Sequence, residues 1–318
     1  MKGIIFFFLF CKFDMLLAQS QNIFTSSVLD PFTHHSSYAG LEGNSVISLM
    51  YRDQWAKIPG RPMNQLLQWN SPWRQYSSGF GLALTHESIG IQQSISFRPS
   101  FNRIFTTDQI LLSTGASVIY QWTQYEFDQI RTPEGIYSNN AIEHKDNLIE
   151  QSNPNESSYG YGLSIFAQSK WVNGGLSYQQ LFGNSQSLRA TTSHFAILSL
   201  SKEFKLSRFL RIEPVISFYS NFFQHQIDLF SKLNYNGKIF GGVGIRGIQG
   251  NNLDAIKMNL GYEIFPKIIL FGCLERRISP IGENIFGASQ EFGLKYNFSG
   301  IGEKSKLKGI EYNPRWTD

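Results

Sequence analysis

Residues 256–264 read Ile-Lys-Met-Asn-Leu-Gly-Tyr-Glu-Ile. Ile256, Met258, Leu260, Tyr262 and Ile264 are apolar, while Lys257, Asn259, Gly261 and Glu263 between them are small, polar or charged. Successive side chains of a strand point to opposite faces, so one face of this segment is oily and the other wet. One such segment fits a half-buried strand in any sheet. The alternation recurs to the end of the chain, mostly in segments of about 10 residues, the length a tilted strand needs to cross a bilayer. The repetition predicts an all-β, transmembrane antiparallel barrel.

The composition agrees. The chain is 42% hydrophobic and 15% aromatic but only 16% charged, against roughly 25% charged for a soluble domain. Its 27 Phe and 14 Tyr suit a lipid-facing surface with aromatic girdles. Mean hydropathy is slightly negative, and beyond the N-terminus no apolar run approaches the ~20 residues of a spanning helix. The net charge of +4 is small for this length and forms no basic stripe, which argues against nucleic acid as a partner.

Met1-Lys2, an apolar run from Ile4 to Cys11 and Met15-Leu16-Leu17-Ala18 resemble a secretory signal cleaved after Ala18. Residues 19–44 are polar and turn-rich, with Asp30-Pro31, His34-His35 and Gly40, and predict an irregular segment on or inside the barrel mouth. Strands are expected at 45–55, 63–72, 78–87, 91–101, 109–124, 158–168, 170–180, 190–203, 208–220, 225–235, 238–247, 255–265, 267–277 and 288–298. That makes about 14, an even number as bacterial barrels require. Residues 125–157 break the rhythm with Thr132-Pro133-Glu134-Gly135 and Asn153-Pro154-Asn155, and predict a long external loop with a short helix over 141–150. Phe298 ends the last strand, and residues 299–318 are expected to form a periplasmic tail.

Lys257, Glu263, Glu291, Lys295, Arg211 and Glu213 lie on the polar sides of their strands. A soluble sandwich would turn that side to water, whereas a barrel of this size turns it into a polar lumen.

No motif specifies catalysis, a metal or a cofactor. Gly242-Val243-Gly244-Ile245-Arg246-Gly247 spells the dinucleotide fingerprint, but the glycines fall inside an alternating strand and no helix follows to hold a pyrophosphate. The histidines show no metal-binding spacing, and Cys273 is the one cysteine outside the signal. Ser193 and His194 are adjacent and so point to opposite faces of a strand, which prevents them from acting as a pair. Glu275-Arg276-Arg277 reads as a solvated strand end.

The end of the first strand is more distinctive. Tyr51-Arg52-Asp53-Gln54-Trp55 precedes Ile58-Pro59-Gly60, Tyr38-Ala39-Gly40-Leu41-Glu42-Gly43 comes before it, and Gly79-Phe80-Gly81-Leu82-Ala83-Leu84 follows. Together these resemble the PorP/SprF family of outer-membrane proteins of the type IX secretion and gliding system, over residues 30 to 298. The family motif residues are Tyr51, Arg52, Gln54, Trp55, Pro59 and Gly60. Ser36-Ser37 stands where the family usually has Asn-Pro, and Asp53 where it often has Asn.

The resemblance implies a non-enzymatic protein in the outer membrane of a Gram-negative bacterium, in contact with its lipid. It implies a role in secreting or anchoring a large surface adhesin through the adhesin's C-terminal domain, with other type IX secretion components as partners. A passive channel or small-molecule transporter is the alternative. Tyr51 and Trp55 read equally as girdle aromatics, and Arg52 as a lumen charge paired with an acid.

Overall fold

The computed structural model describes residues 23–138, 141–150, 154–183, 193–247, 253–278 and 286–298; the expected signal peptide and C-terminal tail lie outside them. The strands are β1 (Ser45–Asp53), β2 (Met63–Trp73), β3 (Ser78–Ile89), β4 (Gln92–Thr106), β5 (Ile110–Tyr125), β6 (Ile136–Ser138), β7 (Ala141–Glu143), β8 (Asn155–Ser169) and β9 (Asn173–Phe182). They continue with β10 (Ser193–Ser201), β11 (Phe204–Lys205), β12 (Leu210–Ser220), β13 (His225–Tyr235), β14 (Ile239–Arg246), β15 (Ala255–Phe265), β16 (Ile268–Arg277) and β17 (Ser289–Phe298).

Fourteen of these close an antiparallel barrel. Each pairs with its neighbour in sequence, β10 pairs with β12, and β1 meets β17 along a seam from Ser45↔Phe298 to Asp53↔Gln290. Closure leaves no free sheet edge, so every backbone polar group at membrane depth can be satisfied. β11 only extends one hairpin, while β6 and β7 pair with each other in the 126–154 connection.

Connections 74–77, 107–109, 170–172, 236–238 and 266–267 lie at the end where β1 begins and β17 stops. The long ones, 54–62, 126–154, 183–192, 247–254 and 278–288, lie at the other. Barrels of this kind keep their short turns in the periplasm and their long loops outside, which fixes the orientation used below.

Leu49, Leu67, Leu84, Phe97, Leu163 and Leu260 are exposed on the outer face. Lys257, Glu291 and Lys295 are buried on the inner one. The alternation predicted from sequence is therefore the lipid-out, lumen-in pattern.

Two strand-level expectations change. β4 runs to Thr106 rather than 101, because its last turns invert the rule. Ile104 points inward and packs with Leu41, Leu111 and Phe166, while Arg103 points outward and reaches the Tyr76 carbonyl at the periplasmic rim. Within the loop, helix is confined to Asn147–Glu150, and Ala141–Glu143 is strand instead. Lys145 has a φ of 51°, a left-handed conformation that a right-handed helix cannot include.

Residues 23–44 run down the lumen from the long-loop end to the short-turn end as a series of tight turns at Thr25–Val28, Pro31–Thr33 and Ser36–Tyr38. They carry their own core. Phe24 packs with Met50, Leu66, Ala83 and Phe271, and Ile23 with Phe195, Ile197 and Tyr219. Burying each large side chain is worth about 1.5–3 kcal/mol, so the inward-facing apolar residues of the wall hold this segment in place.

Candidate functional site

Near the external end, six buried charges from six strands gather around Thr25. Arg52 faces Glu291 across the seam and forms an ion pair with it, and lies 3.3 Å from Glu275. Arg246 is 2.6 Å from Glu275 and 3.4 Å from Asp228, and Lys257 is 2.7 Å from Asp228. Three cations thus balance three anions (Arg52, Arg246 and Lys257 against Glu275, Glu291 and Asp228), which removes the penalty an unpaired buried charge would carry.

The cluster grips the N-terminal segment. Glu291 accepts hydrogen bonds from the backbone N–H of Thr25 at 2.7 Å and of Ser26 at 2.8 Å. Arg246 donates to the Ile23 carbonyl at 3.1 Å, and the Thr25 hydroxyl accepts from Arg52 and donates to Glu275. Charge-assisted bonds of this kind are about twice as strong as neutral ones.

Deeper in the lumen the segment is tied at every turn. Asp30 accepts from Ser48 at 2.5 Å and Gln68 at 2.7 Å, and Arg98 donates to the carbonyls of Phe32 and Thr33. Asn102 donates to the carbonyls of Ser37 and Ala39, and Lys295 pairs with Glu42 at 2.6 Å. Ser36 and Ser37, the departure from the family pattern, both bond Ser164.

His35 bridges Ser177 at 2.6 Å and Ser199 at 2.8 Å. Burial, with cationic Arg98 nearby, lowers its pKa to about 3; burial lowers His34 to about 3 as well, with His35, Arg98 and Arg246 adding to the effect. Both rings are therefore neutral at pH 7. The serine–histidine contact is a mooring point, since the charged neighbour acting on His35 is a cation and not the carboxylate a triad would place there.

The glycine-rich third strand has its reason in this packing. A Cβ at Gly81 would overlap the ring of Phe32, and one at Gly79 would overlap the Ala39 carbonyl. Phe32, fully buried, occupies the space that the absent side chains leave.

The motif residues divide between two places. Arg52 points into the lumen cluster, whereas Tyr51 points outward, its hydroxyl 3.7 Å from the Met63 sulfur. Gln54, Trp55, Pro59 and Gly60 form the external turn after β1. Trp55 has a φ of 61°, a costly conformation for a bulky residue, and pairing holds it there. Trp55 N–H donates to Ser289 Oγ, Ala56 N–H to the Ala288 carbonyl, and Lys57 N–H to the Phe286 carbonyl. Arg277 lies 5.1 Å from the Trp55 ring centroid and 5.0 Å from that of Phe286. Gly60, at φ 67°, accepts from Gly90 N–H at 2.8 Å, tying the turn to the β3–β4 connection. Asp53 pairs with Arg61 at 2.5 Å.

Several sequence readings are corrected or refined here. Glu275 is not a solvated strand end; it is 6% exposed and sits between two arginines. Strand alternation does place Glu275, Arg246 and Asp228 on lumen faces, but partners on other strands are invisible to periodicity. Gly242 and Gly244 lie against Phe230 inside β14, away from any helix start. His194 bonds the Tyr178 hydroxyl at 2.7 Å. Among the described residues, no group of three or more His, Cys, Asp or Glu could hold a metal.

Between the segment and the wall, from β8 round to β17, is a cavity of about 1380 Å³. Its mouth is at the short-turn end, where Lys170, Lys202, Glu203 and Lys205 are exposed. Its inner end reaches His34, Ile197 and Tyr219, beyond which Ile23 and Phe195 pack.

The chain is similar to solved outer-membrane barrels at low identity. Against the toluene transporter TbuX of Ralstonia pickettii, identity is 10%, the TM-score 0.49, and coverage 86% of this chain and 93% of that one. The outer membrane protein Omp33 of Acinetobacter baumannii is 8% identical, with a TM-score of 0.45 and coverage of 80% and 98%. The KdgM porin is 8% identical, with a TM-score of 0.40 and coverage of 80% and 99%. No curated protein matches the sequence. The family model of the type IX secretion system membrane protein PorP/SprF matches residues 17–296. This barrel of the outer membrane, with its tethered lumen segment and its Tyr51–Trp55 motif, belongs to the PorP/SprF family.

Proposed function

We propose that the barrel is a closed, non-enzymatic scaffold for secreting or anchoring a large surface adhesin, which docks through its C-terminal domain on the external loops and barrel mouth. The observation that carries this reading is the occupied lumen. Residues 23–44 run through the passage and are held at its external end by Arg52, Arg246, Glu275 and Glu291, an arrangement suited to a docking platform and poorly suited to free diffusion of solutes.

The external turn at Trp55 and the 126–154 connection supply the docking surface. The turn is a preformed ridge braced against Phe286–Ser289 on one side and Gly90 on the other. The 126–154 connection is the longest of the external ones, and connections of this length are often functional. Periplasmic turns and the basic tail would face the remaining secretion components.

Deleting the gene tests the reading. A specific surface adhesin should disappear from the cell while solute uptake is unchanged. Loss of uptake with the adhesin still displayed would favour the channel or transporter instead. Trp55→Ala separates contact from folding within the motif: the barrel should form normally while display of the adhesin falls.

A further inference from the structure

Four of the buried cations in the lumen have a carboxylate beside them. Arg52 and Arg246 share Glu275 at 3.3 and 2.6 Å, Lys257 is 2.7 Å from Asp228, and Lys295 is 2.6 Å from Glu42. Arg98 is different. It is 9% exposed and forms no ion pair among the described residues, and its Nη2 donates to two neutral carbonyls, Phe32 at 3.2 Å and Thr33 at 3.0 Å. Its Nη1 is buried and meets no hydrogen-bond partner among the described residues. Asp30, the buried acid of the lumen segment, is bonded to Ser48 and Gln68 instead.

Two hydroxyls next to Arg98 are in the same state. Ser100 is two residues on along β4 and so shares its inner face, and Ser117 stands directly across from Ser100 on β5. Both serines are buried, and neither Oγ has a partner among the described residues. The Pro31–Thr33 turn covers them. Ser100 pairs with Gly81, the glycine whose missing side chain admits the Phe32 ring, and Arg98 lies 5.5 Å from the centroid of that ring. On the other side Ser117 Oγ lies over Gly162 of β8, which brings no side chain of its own to the space.

A buried cation without a counter-charge is costly, and buried donors without partners mark a place for a bound water or ion. A water would satisfy the donors but leave the charge, whereas an anion does both. We propose that Arg98, Ser100 and Ser117 bind a small monovalent anion of the halide class between the Pro31–Thr33 turn and the β4–β5 wall. The donors are one guanidinium nitrogen and two rotatable hydroxyls, and all three atoms are closed off from bulk solvent. That enclosure suits a single spherical ion and leaves no room for a phosphate or a peptide carboxylate. The ion adds a charged tie between the wall and the turn that carries Phe32. This site is independent of the external docking surface, and either can stand without the other.

The test uses the full chain and two readouts. Crystals grown from sodium bromide should show an anomalous scattering peak beside Arg98 Nη1 and the two hydroxyls. In lipid nanodiscs, replacing gluconate by chloride at constant ionic strength should raise the unfolding midpoint, because the ion binds the folded state alone. Arg98→Gln should abolish both signals, although it also removes the bonds to Phe32 and Thr33. Ser100→Ala with Ser117→Ala keeps those bonds and should weaken the dependence on chloride by about tenfold. No bromide peak at Arg98, or a chloride dependence that survives the double serine change, would overturn the proposal. A bromide peak without any effect of chloride on stability would do the same, since it would mark an adventitious ion only.

Discussion

Arg52 in the first strand and Glu291 in the last stand directly opposite each other at the seam that closes the barrel, and both hold Thr25 of the lumen segment. One ion pair therefore joins three things that are far apart in sequence: the two edges of the sheet and the chain that fills it.

Removing one member of that pair should be costly. Arg52→Met leaves the carboxylates of Glu291 and Glu275 buried with too few cations, a change expected to destabilise the protein by about 3–5 kcal/mol. Adding Glu291→Gln should recover part of the loss, because one surplus charge disappears. Urea unfolding in lipid vesicles measures both. An Arg52→Met protein as stable as the parent would show that the cluster contributes little.

On the proposed reading the seal is the lumen segment and not the wall. Deleting residues 23–40 removes the contacts with Asp30, Phe32 and His35 but no strand pairing, and the wall charges can then be solvated by lumen water. Planar-bilayer recordings should show steady conductance from the deletion and none from the parent. Equal conductance from the two proteins would mean that the segment is not the seal.

Gly81→Val tests the close approach of Phe32. The added side chain occupies the place of the ring, and overpacking of this kind typically costs about 1–3 kcal/mol. The barrel should still form, since valine suits a strand, but the lumen segment should loosen and conductance should appear. Gly90→Ala makes a useful control, because a Cβ there meets nothing within 4 Å, although its positive φ carries a small backbone cost.

Acid should also loosen the segment. His34 and His35 have pKa values near 3 in place and 6.5 when released. At pH 7 the docked rings are neutral and the released ones mostly so, and they contribute little pH dependence. Between pH 6.5 and 3 the released chain binds protons that the docked chain does not, so stability falls as pH drops, by up to about 1.4 kcal/mol per pH unit for each ring. Unfolding midpoints at pH 7 and pH 4.5 should therefore diverge, and a His34→Gln, His35→Gln protein should narrow the gap. An unchanged gap would assign the acid sensitivity to other groups.

Much of the wall was legible in the sequence. Alternation such as that of residues 256–264 located every barrel strand, because lipid on one side and a filled lumen on the other impose the same period of two throughout. It failed where that contrast reverses, as at Arg103 and Ile104, where the charge meets the interface and the apolar side chain meets Leu41. The lumen was harder to foresee. Residues 23–44 look like an ordinary polar, turn-rich stretch, and their partners lie as far as 266 positions away. Periodicity could put Glu275 on an inner face but could not show that Arg52 and Arg246 flank it. Gly79 and Gly81 stood out as a family likeness before Phe32 and Ala39 explained why side chains are missing there.

The course of the lumen segment has a consequence for assembly. Ile23 is held by Arg246 at the external end, and the chain then descends to the periplasmic end, where β1 begins. Thr25 is gripped from both sides of the β1–β17 seam. A sheet that had already zipped shut would have to admit this chain lengthwise past its own periplasmic turns. The simpler order is that the open sheet curls around its own N-terminal segment, with Thr25 and Ser26 offering the last strand a place to land. Closure and docking of the segment then become a single event, and a barrel of this design leaves the assembly line with its lumen chain already in place.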